Sequence, residues 1–179
     1  MYMVQLPPMG DSRAVPLMKY VTSSRWRPVP LFVDATATEE GGEITFRASV
    51  ETNPQLKTSL QDVSVSLTLP QEAGGECSCA NFEPAGEWDA AERLARWRLS
   101  ELLTLRGTPA LCCATLRDVT QGAADAVSRA PLQLSFSCEG VAISGIELEV
   151  QLGSGTSSIS RLLRRFVSGE YFVTSATAP

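Results

Sequence analysis

The residues best placed to do chemistry are basic. Arg161, Arg164 and Arg165 fall within five positions and are flanked by Leu162, Leu163 and Phe166. Lys19, Arg25, Trp26 and Arg27 form a second cluster. A guanidinium group pairs with carboxylate or phosphate in bidentate fashion. Such clusters therefore suit an acidic partner, either an anionic lipid headgroup or an acidic peptide segment. They equally suit a solvated strand face on an acidic protein. Strand alternation would put Arg161 and Arg165 on one face with Leu163, and Leu162, Arg164 and Phe166 on the other.

Other chemistries find no residues. The chain contains no histidine, the usual acid/base near neutral pH. Ser/His and Cys/His nucleophile pairs are therefore excluded within the chain. Gly153-Ser154-Gly155-Thr156 has the glycines of a phosphate loop, but neither the lysine nor the helix that should follow. Five cysteines, Cys77, Cys79, Cys112, Cys113 and Cys138, lack the spacing and histidine help of a zinc site. Their odd number and the lack of a visible secretory signal read as free thiols, small buried hydrophobes in a reducing compartment. No cofactor, no metal and no enzyme activity are expected.

With 179 residues, a net charge of −5 and a sequence pI near 4.8, the chain does not look like a nucleic-acid binder. Hydrophobic residues make up 44% and charged residues 20%, an ordinary globular balance. No apolar run reaches the ~18 residues of a membrane span.

The elements that must position the basic clusters are strands. Leu132, Leu134 and Phe136 alternate with Gln133, Ser135 and Ser137; Ile146, Leu148 and Val150 alternate with Glu147, Glu149 and Gln151. Tyr171 to Val173 makes a short strand near the end. Val63 to Leu69 is the cleanest strand, with Val63, Val65, Leu67 and Leu69 facing a core. Ile44 to Val50 alternates likewise, after a turn at Glu39 to Gly42. Residues 29–34, Glu76 to Phe82, Leu94 to Leu99 and Ala110 to Leu116 complete the series. Cys77, Cys79 and Asn81 are expected on one face. Thr52 to Leu60 and Asp118 to Arg129 read as loops, and DAAER, at 89–93, has helical propensity. About ten short strands with turn signals between them predict an all-β sandwich.

The order of motifs resembles the end of a mu-homology domain, the cargo-binding domain of clathrin-adaptor medium chains and of the endocytic muniscins. Ser144-Gly145 precedes an alternating strand, a basic segment runs from Arg161 to Phe166, and Ser168-Gly169-Glu170-Tyr171 closes the pattern. Arg164-Arg165-Phe166 followed by Gly169-Glu170-Tyr171 is most similar to the muniscin type. Pro7-Pro8-x-Gly10 and Leu17-Met18-Lys19-Tyr20 resemble an earlier strand of the same domain.

The resemblance implies an elongated antiparallel β-sandwich, with residues 1–179 forming part of a mu-homology domain. Residues 29–118 would be the inserted second lobe; residues 5–21 and 131–175 would be strands of the first lobe, whose opening strands are missing. It implies a non-enzymatic module that binds cargo cytoplasmic tails or endocytic accessory proteins in clathrin-mediated vesicle formation. The setting would be cytoplasmic, peripheral at the plasma membrane or on clathrin-coated vesicles. Leu162 stands where the family's pocket Trp would be, and Arg164 where its Arg would be. The pocket's other wall belongs to the missing strands, so edge-strand peptide recognition is expected rather than a tyrosine-motif pocket. The candidate partner-binding residues are thus Lys19, Arg25, Arg27, Arg161, Leu162, Arg164 and Arg165. A peripheral binder of anionic lipid and a fragment acting only inside a larger adaptor complex are the alternatives.

Overall fold

A computed structural model describes residues 16, 19, 30–54, 56, 59–99, 108–139, 165–168 and 171–173, with the backbone alone at 165 and 166. The strands are β1 (Leu31–Glu40), β2 (Glu43–Thr52), β3 (Gln61–Thr68), β4 (Ser78–Glu83), β5 (Gly86–Asp89), β6 (Leu94–Arg98), β7 (Ala110–Arg117), β8 (Leu132–Glu139), β9 (Arg165–Val167) and β10 (Tyr171–Val173). One short helix, α1 (Ala124–Arg129), precedes β8.

Two antiparallel sheets result. One has the order β1-β2-β7-β4; the other runs β10-β8-β3-β6-β5, with β9 also paired to β8. Alternation dictates the layering. Ile44, Phe46, Ala48 and Val50 of β2 are wholly buried, as are Val63, Val65 and Leu67 of β3 and Leu134 of β8. Each is followed by a more polar residue on the opposite face, the period-2 arrangement of a half-buried strand.

Trp97 of β6 ties the sheets together. Its ring lies 6.0 Å from Phe46 and 5.5 Å from Phe82, both on the opposing sheet. Its indole N–H donates to the Cys113 carbonyl at 3.2 Å, so the buried donor is satisfied. Gly86 makes room for this cluster: a Cβ there would fall 2.3 Å from Phe82 Cδ1 and 2.8 Å from the Arg96 carbonyl. The β1–β2 hairpin turns at Gly41-Gly42, whose φ values of +61° and +82° suit a two-residue primed turn.

The strands expected around 44–50, 63–69, 94–99, 110–116, 132–137 and 171–173 are present. The structure corrects other expectations. β1 runs on to Glu40, because Ala35 and Ala37 continue the half-buried alternation begun by Val33. Asn81 does not share a face with Cys77 and Cys79. A bulge between Ala80 and Glu83 breaks the register, and Asn81 takes φ +53° and points to solvent. The segment read as a loop at 118–129 ends in α1, which buries Val127 and links Arg129 to Asp125 by an ion pair. β5 was not expected. The residues after it form a turn, because Asp89 Oδ1 accepts the amides of Ala91 at 2.9 Å and Glu92 at 3.2 Å. Local side-chain capping therefore overrides the helical propensity of DAAER.

All five cysteines are free thiols; four are buried and Cys113 is half-buried. Burial, with a smaller contribution from neighbouring Cys77, pushes the Cys79 thiol up to about 12. Burial, then Cys113, does the same for Cys112, also to about 12.

Candidate partner-binding surface

β8 is the strand against which the expected binding segment is placed. On one edge it pairs with β3 from Leu132 to Ser137. On the other it pairs with β10 through Leu132 to Leu134 and with β9 through Ser137 to Glu139. The sheet therefore joins strands from both of the lobes expected from the sequence.

Ser168 and Tyr171 hold the C-terminal strands in place. The Ser168 amide donates to the Phe136 carbonyl at 2.9 Å, and the Phe136 amide donates back to Ser168 Oγ at 2.9 Å. Ser168 is buried. Tyr171 then sets its ring 6.0 Å from Phe136 in an edge-on arrangement. Two residues of the Ser168-Gly169-Glu170-Tyr171 motif thus grip the same phenylalanine. This fixes where β9, the end of the basic segment, meets β8: Arg165 lies opposite Glu139 in register.

Of the predicted site residues, Lys19 is exposed, and Arg165 is placed by its backbone. Arg161, Leu162, Arg164, Arg25 and Arg27 lie outside the described residues, so the two basic clusters are not brought together by any described contact. The expected strands at 5–21 and 146–150, the Ser144-Gly145 pair and the 153–158 loop also lie outside them, apart from Pro16 and Lys19.

A third basic feature comes from strand pairing. Arg96 and Arg98 alternate with Ala95 and Trp97 on β6 and point away from the core. In register, Arg98 faces Ser64 and Arg96 faces Ser66; Ser64 faces Ser135, and Ser66 faces Gln133. These residues line a groove of about 550 Å³ on the outer face of the sheet. The Ser64 and Ser135 hydroxyls are 2.7 Å apart and hydrogen-bonded. The signal was present in the alternation of Arg96-Trp97-Arg98, but only strand pairing puts the serines beside it. Among the described residues no cluster of His, Cys, Asp or Glu could hold a metal.

The model of the adaptor complexes medium subunit family matches residues 5–170. The chain belongs to that family. F-BAR domain only protein 1 of Danio rerio, a muniscin, is 27% identical over 170 residues, which cover 93% of this chain and 18% of that protein. The solved Fcho1 mu homology domain of Danio rerio, with bound Eps15 peptide, is 25% identical and superposes with a TM-score of 0.56 over 81% of this chain and 50% of that one. The mu-homology resemblance carried by Arg161 to Tyr171 is thereby shown, and with it the β-sheet fold. The chain spans half or less of the length of each of these relatives. Family and neighbour are adaptor and peptide-binding proteins, non-enzymatic kinds, and they place the chain among endocytic adaptor relatives.

Proposed function

We propose that this mu-homology chain is a non-enzymatic docking module of clathrin-mediated endocytosis that binds peptide segments of accessory proteins or cargo tails. The observation that carries this reading is the family match across residues 5–170, supported by a similar domain solved with a bound Eps15 peptide. The module would work in the cytoplasm, at the plasma membrane or on coated vesicles, without cofactor or nucleic acid. Its two-lobe organisation, with residues 29–118 as the inserted lobe, belongs to the same proposal.

Arg161 and Arg165, with Leu162, Arg164, Lys19, Arg25 and Arg27 around them, would engage the acidic partner. The test is fluorescence anisotropy with an Eps15 peptide, run beside flotation with phosphatidylserine liposomes. Peptide binding that is lost in Arg161→Glu/Arg165→Glu, with an unchanged melting temperature, supports the reading. Liposome binding without peptide binding replaces it with a peripheral lipid binder, the second reading that the arginine clusters favour. No binding of either kind by a folded chain removes both.

A further inference from the structure

The outer face of the six-stranded sheet carries a graded surface centred on residues other than Arg161, Arg164 and Arg165. Strand register runs Glu87, Arg96, Ser66, Gln133 and Phe172 in one row across β5, β6, β3, β8 and β10. Registered partners share a face, so cation, hydroxyl, amide and aromatic ring follow one another along a line. Ser66, in the middle, is only 8% exposed, while Arg96 and Gln133 on either side of it are exposed. The row is therefore a groove with a polar floor. Beyond Gln133 the face turns apolar: Phe172 is 57% exposed and Val167 67%.

The charges are uneven. Glu87 sits across from Arg96, yet its carboxylate lies 3.4 Å from Arg98. That leaves Arg96 without an ion pair among the described residues. Asp62 closes the groove at the end near Ser64 and Ser135, where its carboxylate accepts the Ser137 hydroxyl at 2.9 Å. An incoming carboxylate is thus attracted to Arg96.

We propose that this groove is a second docking surface, for an extended peptide segment that places a carboxylate on Arg96 and an apolar side chain against Phe172. The distance sets the spacing. From β6 to β10 are three strand intervals of ~4.8 Å, roughly 14 Å in all, which an extended chain covers in about four residues at ~3.3 Å each. The preferred segment is acidic, then three small or polar residues, then aromatic or large apolar. The inference extends the peptide-docking reading to residues other than Arg161 and Arg165, so the two surfaces fail separately.

The probe is the peptide Gly-Ser-Asp-Ser-Gly-Ser-Phe-Ser-Gly, titrated into the isotope-labelled 179-residue chain and followed by amide chemical shifts, which register weak binding. Saturable shifts at Ser66, Arg96, Gln133 and Phe172 are expected. They should weaken at least tenfold in Arg96→Glu, fall severalfold in Phe172→Ser, and persist in Arg161→Glu/Arg165→Glu. Replacing the peptide's Asp by Asn, or moving its Phe next to the Asp, should remove most of the effect. Because Arg96 and Phe172 are exposed, unchanged spectral dispersion in each variant shows that folding is intact. The proposal is overturned by unchanged binding in Arg96→Glu, by shifts confined to other surfaces, or by Arg96-dependent shifts with phosphatidylserine vesicles and none with the peptide.

Discussion

The two faces of the sheet built on β3, β6 and β8 are made from the same short segments and obey opposite rules. Inward, Val65, Trp97 and Leu134 stand in register and are wholly buried. Outward, Arg96, Ser66 and Gln133 stand in register one residue away. The inner face is fixed by volume: little there can change without leaving a void or a clash. The outer face is fixed by charge and register, and its side chains remain available to a partner. Stability should therefore reside on one face and recognition on the other.

The largest effects belong inside. Val65→Asp buries an unpaired carboxylate at the centre of the core, and the chain should fail to fold; a soluble variant with a cooperative melt would contradict the layering. Trp97→Ala removes the ring that packs across the sheets onto Phe46 and Phe82. A loss of about 3–5 kcal/mol is expected from such a truncation, read from urea denaturation. Gly86→Ala comes next. The added methyl cannot displace the Arg96 carbonyl and must push Phe82 off Trp97, at a cost of about 1–3 kcal/mol.

Much of the core between the two sheets was legible in the sequence, since VSVSLTL, ITFRASV and PLQLSF each alternate cleanly. What was not legible depends on partners distant in the chain or on very local capping. β5 is four residues long, too short for periodicity, and exists because β6 pairs with it. The six residues of α1 follow Gly122 and carry one wholly buried side chain, Val127, so no helical stripe could be read. The charge cluster Arg161, Arg164 and Arg165 was conspicuous because its members are neighbours in sequence. The Arg96 groove was hidden because its walls come from β3, β6 and β8, some seventy residues apart from first to last. Sequence shows clusters; register shows surfaces.

The buried thiols of β4 and β7, on the opposing sheet, allow the shared core to be probed by pH. Cys79 and Cys112 keep their protons up to about 12 in the folded state, against 9.0 for a free thiol. As pH rises above 9 the unfolded chain releases these protons first, so it binds fewer than the folded chain and stability falls. The decline should begin near pH 9 and continue toward 12. Urea midpoints measured between pH 8 and 10.5 should drop less steeply in Cys79→Ala/Cys112→Ala than in the unaltered chain. Parallel slopes would mean that these thiols are not held neutral by burial.

The smallest effect should come from the outer face, and its smallness is what distinguishes the two faces. Arg98 and Glu87 form an ion pair at 3.4 Å with side chains 71% and 64% exposed. Exposed pairs of this kind contribute little, because solvent screens the attraction and both side chains lose freedom. Arg96 has no ion pair among the described residues. Arg96→Ala and Arg98→Ala should each leave stability within about 0.5 kcal/mol of the parent, in low salt as in high. A loss above 1 kcal/mol in Arg96→Ala would mean that the arginine stem packs over Ser66 as part of the fold, and the division of labour between the faces would then fail at its centre. A null change in stability joined to a tenfold loss of peptide binding in Arg96→Glu would place recognition on the outer face and leave folding to the side chains directly beneath it.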